Sequence, residues 1–161
     1  AHLDVKPDNY VYKNESTGQF SIHLIDLGLA QPLGKEMPNR PGTLLYMSPE
    51  SLQQKTRPYR HSTISQDSWA LGISLFDLFY EKLNPDFILE NPQLQAFSNL
   101  NNENGVAWIG QNWISTPLPQ EQWIQPPEDE QSLEFVIYQL LKIDPQQRWT
   151  ARQAADHLNQ V

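Results

Sequence analysis

The 161-residue sequence predicts a mainly α-helical domain with one short β-hairpin near its start. Three observations predict it. Tyr10-Val11-Tyr12 and Phe20 to Ile25 are short runs of β-branched and aromatic residues, separated by the turn composition Asn14-Glu15-Ser16-Thr17-Gly18-Gln19. Trp69, Leu71, Ile73, Leu75, Phe76, Leu78, Phe79 and Tyr80 are crowded into twelve residues, so that apolar side chains point nearly all round, as on a buried helix. Leu133, Val136, Ile137, Leu140 and Leu141 then fall at helical spacing. The expected fold is a hairpin followed by a helical bundle around the buried central helix.

Residues 5–11 read as a polar turn running into the first strand, and Asp26-Leu27-Gly28 as the end of the second strand, with Gly28 allowing a sharp turn. Residues 29–50 carry Pro32, Gly34, Pro38, Pro41, Gly42 and Pro49, which argues against helix and for a long functional loop. Residues 50–54 suit a short helix, and residues 55–65 another polar loop. Asp67 or Ser65 can cap the central helix, which Pro85 follows. Residues 84–131 are rich in Asn, Gln and Pro. They offer a short helix near residues 91–100 and three Trp residues, Trp108, Trp113 and Trp123, for core or lid packing or for a partner-docking surface. An amphipathic helix over residues 131–142 is broken by Asp144-Pro145. Thr150 can cap a last helix with Ala151, Ala154, Ala155 and Leu158 on its inner face.

Composition excludes several functions. A net charge of −8 with no basic block is wrong for non-specific nucleic-acid binding. Without cysteine there is no disulfide and no thiolate metal site, which suits a reducing compartment and a cytoplasmic location. No apolar run reaches membrane-spanning length, and no signal peptide opens the chain.

The chemistry is concentrated at the start. Asp4 can accept a proton, Lys6 can neutralise a phosphate, and Asn9 can offer an oxygen to a hard cation. Asp26 follows an apolar strand, where a carboxylate is costly without a partner such as Mg²⁺; it can equally be an Asp at a tight turn after an edge strand. The spacing His2-x-Asp4-x-Lys6-x-x-Asn9 resembles the catalytic loop of eukaryotic-type protein kinases, and Asp26-Leu27-Gly28 resembles the family's Asp-Phe-Gly triplet with Leu for Phe. Gly42-Thr43-Leu44-Leu45-Tyr46-Met47-Ser48-Pro49-Glu50 resembles the end of a kinase activation segment. Asp67-Ser68-Trp69-Ala70-Leu71-Gly72 resembles the family's Asp-x-Trp-x-x-Gly.

These motifs run in family order from His2 to Arg148. The resemblance implies a serine/threonine protein kinase that moves the γ-phosphoryl of ATP to a protein Ser or Thr hydroxyl. It implies that Asp4 orients and deprotonates the hydroxyl, Lys6 neutralises the phosphoryl, and Asn9 and Asp26 hold Mg²⁺. Thr43 would bridge Asp4 and Lys6, Glu50 would pair with Arg148, and Asp67 would cap the buried helix while bonding the catalytic-loop backbone. His2, Gly28 and Trp69 would be structural. Lys6, two residues after the catalytic Asp, is the serine/threonine form.

The chain opens at Ala1 directly onto the motif. We therefore expect residues 1–161 to be a partial kinase domain, a C-terminal lobe whose N-terminal partner lobe, with the Gly-rich loop and ATP-anchoring Lys, belongs to a longer parent. A pseudokinase or non-catalytic scaffold of the same fold is the competing expectation. Leu3 stands where regulated kinases carry an Arg that binds an activation-loop phosphate. Residues 29–42 contain no Ser, Thr or Tyr, so phosphorylation there is not expected to be the switch.

Overall fold

A computed structural model describes residues 1–15, 18–37, 42–43, 46–53, 60–79 and 126–160. Among them are four α-helices and two pairs of antiparallel strands, a mixed α/β arrangement. The predicted helix near residues 91–100 and the three Trp residues of the 84–131 stretch lie outside the described residues.

A 3₁₀ turn at Pro7–Asn9 leads into β1 (Tyr10–Asn14), which pairs with β2 (Phe20–Leu24) in the register Tyr10 opposite Leu24 and Asn14 opposite Phe20. Gly18 takes φ +79° in the connection, a conformation that costs glycine nothing sterically. The hairpin is thus where the alternation placed it. Its apolar residues do not form core: Tyr12, Phe20 and Ile22 are exposed.

After β2 the structure departs from expectation. The strand ends at Leu24, and Leu27–Leu29 form a separate 3₁₀ turn. The sharp bend is made by Asp26, not by Gly28. Asp26 adopts φ +62°, and its own Oδ1 accepts the Gly28 N–H at 3.1 Å. A short side chain that bonds locally makes the left-handed region tolerable for Asp. Gly28 instead permits close approach, since a Cβ there would lie 3.1 Å from Asp26 Oδ1. The two proline-rich and polar loops also contain a short ladder, β3 (Glu36–Met37) against β4 (Arg60–His61). Two residues are too few to leave a periodic signal.

Helix α1 (Pro49–Gln53) begins with Pro at a first-turn position, where the missing N–H is harmless. Helix α2 (Ile64–Phe79) is the central element. Trp69, Ala70, Gly72, Ile73 and Phe76 are buried along it, while Ile64, Leu78 and Phe79 at its ends are exposed. It starts earlier than Asp67 predicts. Thr63 precedes its first residue, and the Thr63 N–H donates to Gln66 Oε1 at 3.0 Å, the reciprocal half of a capping box. Neither Asp67 nor Ser65 is the cap, because both side chains are engaged elsewhere.

Helix α3 (Leu133–Leu140) is capped by Ser132, whose hydroxyl accepts the Phe135 N–H. It packs on α2 through Val136 and Leu140, and these two, Ile137 and Leu141 just beyond the helix are fully buried. Each such side chain contributes roughly 1.5–3 kcal/mol of transfer free energy. Gly72 lies at a close approach to the end of α3: a Cβ there would meet Leu141 Cδ2 at 2.8 Å and Leu140 Cβ at 2.9 Å. Helix α4 (Ala151–Leu158) has the full capping box between Thr150 and Gln153. Only Ala154 of its predicted inner face is buried; Ala151, Ala155 and Leu158 are exposed. Among the described residues, no helix is long and apolar enough to cross a membrane.

Candidate active site

The loop between Ala1 and the first 3₁₀ turn is held by α2. The backbone N–H groups of His2 and Leu3 donate to Asp67 Oδ2 at 2.7 Å and Oδ1 at 2.8 Å. This occupies both carboxylate oxygens and explains why Asp67 does not cap its own helix. It also holds Leu3 at φ +70°, a region that costs a non-glycine residue roughly 1–2 kcal/mol. His2, itself buried, braces the loop from the other side. Its Nδ1 accepts the Asp4 N–H at 3.3 Å and its Nε2 faces Ile25 O at 3.0 Å. One neutral tautomer, protonated on Nε2, satisfies both. The Ile25 N–H donates to Asn9 O at 2.8 Å, so the base of β2 and the loop form one unit ahead of Asp26.

Asp4 is the centre of this unit. Its Oδ1 accepts the Thr43 N–H at 2.8 Å and the Thr43 hydroxyl at 2.7 Å. Its Oδ2 faces Lys6 Nζ at 3.0 Å and accepts from Asn9 Nδ2 at 3.1 Å. Lys6 also donates to Thr43 Oγ1 at 2.8 Å, so Lys6, Thr43 and Asp4 form a closed ring of charge-assisted hydrogen bonds. Partial burial pushes the Asp4 carboxyl up. The Thr43 hydroxyl, the Lys6 ammonium and the Thr43 amide together outweigh it and hold the group below its ordinary 3.8. Asp4 is therefore a carboxylate throughout the neutral range.

Asn9 also donates from Nδ2 to the Asp4 backbone carbonyl at 2.7 Å, which turns its amide oxygen away from Asp4. Asp26 is exposed, and only its Oδ1 accepts a hydrogen bond among the described residues. One amide oxygen and one carboxylate oxygen suit Mg²⁺, which takes one or two carboxylates and completes its shell with water and substrate phosphate. No group of three or more His, Cys, Asp or Glu side chains could hold a metal by itself among the described residues.

Behind the site, Glu50 and Arg148 form a bidentate pair at 2.7 and 2.9 Å. All five guanidinium N–H groups are matched. The other three go to the carbonyls of Lys142, Ser65 and Ile143, and the guanidinium lies 5.0 Å from the Trp69 ring centroid. Ser65 Oγ donates to Glu50 at 3.2 Å, which is the engagement that removes it from capping.

At three residues that the motifs name, the structure adds a feature the motifs do not state. Leu3 is left-handed, and Gly42, at φ +103°, abuts it. Tyr46 is the third. Burial, with the charges of Asp77 and Asp8 and a hydrogen bond to Asp77, pushes its phenol up to about 12. Pro41-Gly42 signals a turn, but no local signal names its partner 39 residues away.

A family model for the protein kinase domain matches residues 1–158. The chain belongs to the protein kinase domain family. Among curated relatives of this kinase domain, a calcium-dependent protein kinase 6 of Plasmodium berghei is 35% identical over 86 residues, 52% of the chain and 5% of the relative. A probable myosin light chain kinase of Dictyostelium discoideum is 26% identical over 97% of the chain and 35% of its own length. The mouse serine/threonine-protein kinase DCLK3 is 27% identical over 97% of the chain and 17% of its own length. The chain thus spans no more than about a third of the length of these relatives.

Proposed function

We propose that the protein carrying this chain is a serine/threonine protein kinase, transferring the γ-phosphoryl of ATP to a Ser or Thr hydroxyl of a protein substrate. The observation that carries the reading is the ring of Asp4, Lys6 and Thr43, which sets an ionised carboxylate beside a cation at hydrogen-bond distance. The name of the mouse relative and the position of Lys6 support the Ser/Thr assignment.

When bound, ATP supplies the transferred phosphoryl group and Mg²⁺ the charge that neutralises it, with Asn9 Oδ1 and Asp26 Oδ2 the oxygens that would hold the ion. The remaining work belongs to the chain. Asp4 orients the incoming hydroxyl and takes its proton. Because four donors already occupy its acceptor sites, one must yield as substrate enters. Lys6, on a flexible stem, is the natural one, and its ammonium then serves the transferring phosphoryl. Thr43 keeps Oδ1 fixed, so Oδ2 is the oxygen left to act. Such positioning and charge stabilisation are what phosphoryl transfer requires.

The test is a radiolabelled-ATP transfer assay with Mg²⁺ on the full-length protein and a Ser/Thr peptide library. Transfer is expected, and Asp4→Ala should remove it. Transfer that survives Asp4→Ala sinks the assignment, and none in the wild-type protein points to a non-catalytic scaffold of the same fold.

A further inference from the structure

Thr43 docks on Asp4 only because the residue before it has no side chain. A Cβ built on Gly42 would overlap the carbonyl oxygen of Leu3, would lie 3.5 Å from that residue's carbonyl carbon, and would stand 3.9 Å from Asp4 Oδ1. The obstacle is backbone, so it cannot swing aside as a flexible side chain would. Nor is this backbone free to shift. Leu3 is held at φ +70° by the two hydrogen bonds that His2 and Leu3 give to Asp67, and Asp4 follows at once in the chain. Two left-handed residues from segments far apart in sequence therefore face each other. Gly42, at φ +103°, is tolerated because it is glycine; Leu3 is tolerated because a carboxylate of α2 holds it.

We propose that Gly42 is a positioning residue for phosphoryl transfer: its bare Cα is the seat of the Leu3 carbonyl, and a side chain there lifts Thr43 off Asp4. The inference rests on the kinase reading and deepens it, naming what registers the loop after β3 on the Asp4 loop. With Thr43 displaced, Asp4 Oδ1 loses both of its donors, and Lys6 loses the hydroxyl that steadies it.

The test compares four forms of the full-length protein: wild type, Gly42→Ala, Gly18→Ala, and Gly42→Ala combined with Leu3→Gly. Gly18 also has positive φ, +79°, but a Cβ there meets nothing within 4 Å. Its substitution carries the backbone cost without the obstacle. Gly42→Ala is expected to lower kcat about a hundredfold, as misplacement by about an ångström can do, with the KM for ATP little changed. Hydrogen exchange at the Thr43 amide should lose its protection in the same variant. Gly18→Ala should keep kcat and the Thr43 protection. Adding Leu3→Gly, which lets the carbonyl turn away, should restore part of both. Wild-type kcat and Thr43 protection in Gly42→Ala would overturn the inference, as would an equal loss in Gly18→Ala. Should Gly42→Ala fail to fold, the double variant decides: recovery supports the seat, and no recovery removes it. If the wild type transfers no phosphate, the kinase reading falls separately, and exchange at Thr43 alone judges the seat.

Discussion

Asp4 shows how one residue's chemistry is set by neighbours that are distant in sequence. Burial alone would raise its pKa and make it a better base but a poorer anion. The Thr43 and Lys6 contacts reverse the sign. With its folded pKa below the unfolded value, Asp4 contributes stability that is in place above about pH 4 and is lost as the pH falls through the folded pKa. Thr43→Val removes the hydroxyl donor and leaves the burial. The Asp4 midpoint should therefore rise in a ¹³C-carboxyl titration, and the acid limb of the stability profile should move to higher pH with it. An unchanged midpoint would mean that the Thr43 hydroxyl is not what holds Asp4 ionised.

At the scale of elements, α2 is the post on which the site is mounted. Its first turn gives Asp67 to the backbone of the Asp4 loop and leaves its own start to Thr63 and Gln66. Its middle gives Gly72 to the close crossing with the end of α3. Two effects compete at Gly72. Ala is favoured over Gly in a helix interior by about 1 kcal/mol, whereas overpacking a filled core costs about 1–3 kcal/mol. One of the obstructing atoms is the Leu140 Cβ, fixed to its backbone, so packing should win. Gly72→Ala is expected to destabilise the protein by about 1–2 kcal/mol in urea unfolding. A gain in stability would show that α3 can slide to make room.

Across the whole molecule, the pair Glu50–Arg148 joins segments 98 residues apart and closes the chain behind the site. The Arg148 side chain is fully buried, and all five of its donors are matched, so its removal leaves a carboxylate and three carbonyls without it. Arg148→Ala should cost about 3–5 kcal/mol in urea unfolding. Arg148→Lys should recover little, because one ammonium cannot reproduce the planar fork. A loss below about 1 kcal/mol would place the pair with ordinary surface ion pairs.

Local pattern carried much of this fold. Alternation in Tyr10–Leu24 and helical spacing in Leu133–Leu141 mark their elements because side chains repeat every two residues along a strand and about every 3.6 along a helix, although in the hairpin most of the apolar ones stay exposed. The spacing of Asp4, Lys6 and Asn9, and the order in which Asp26, Thr43, Glu50, Asp67 and Arg148 follow, place the chain in its family. What the sequence could not state is where a side chain spends its hydrogen bonds. Asp67 reads equally well as a cap or as a brace. The two-residue ladder of β3 and β4 is too short to show a period. Gly42 reads as a turn, and Gly28 reads as the bend that Asp26 actually makes. Three of these were decided by a partner met only on folding: the His2 and Leu3 amides, the Arg60–His61 edge and the Leu3 carbonyl; the bend at Asp26 was decided locally, by its own side chain taking the Gly28 amide two residues on. Periodicity is local and therefore written along the chain. Hydrogen-bond satisfaction and close approach are pairwise in space, and only the tertiary structure fixes the pairs.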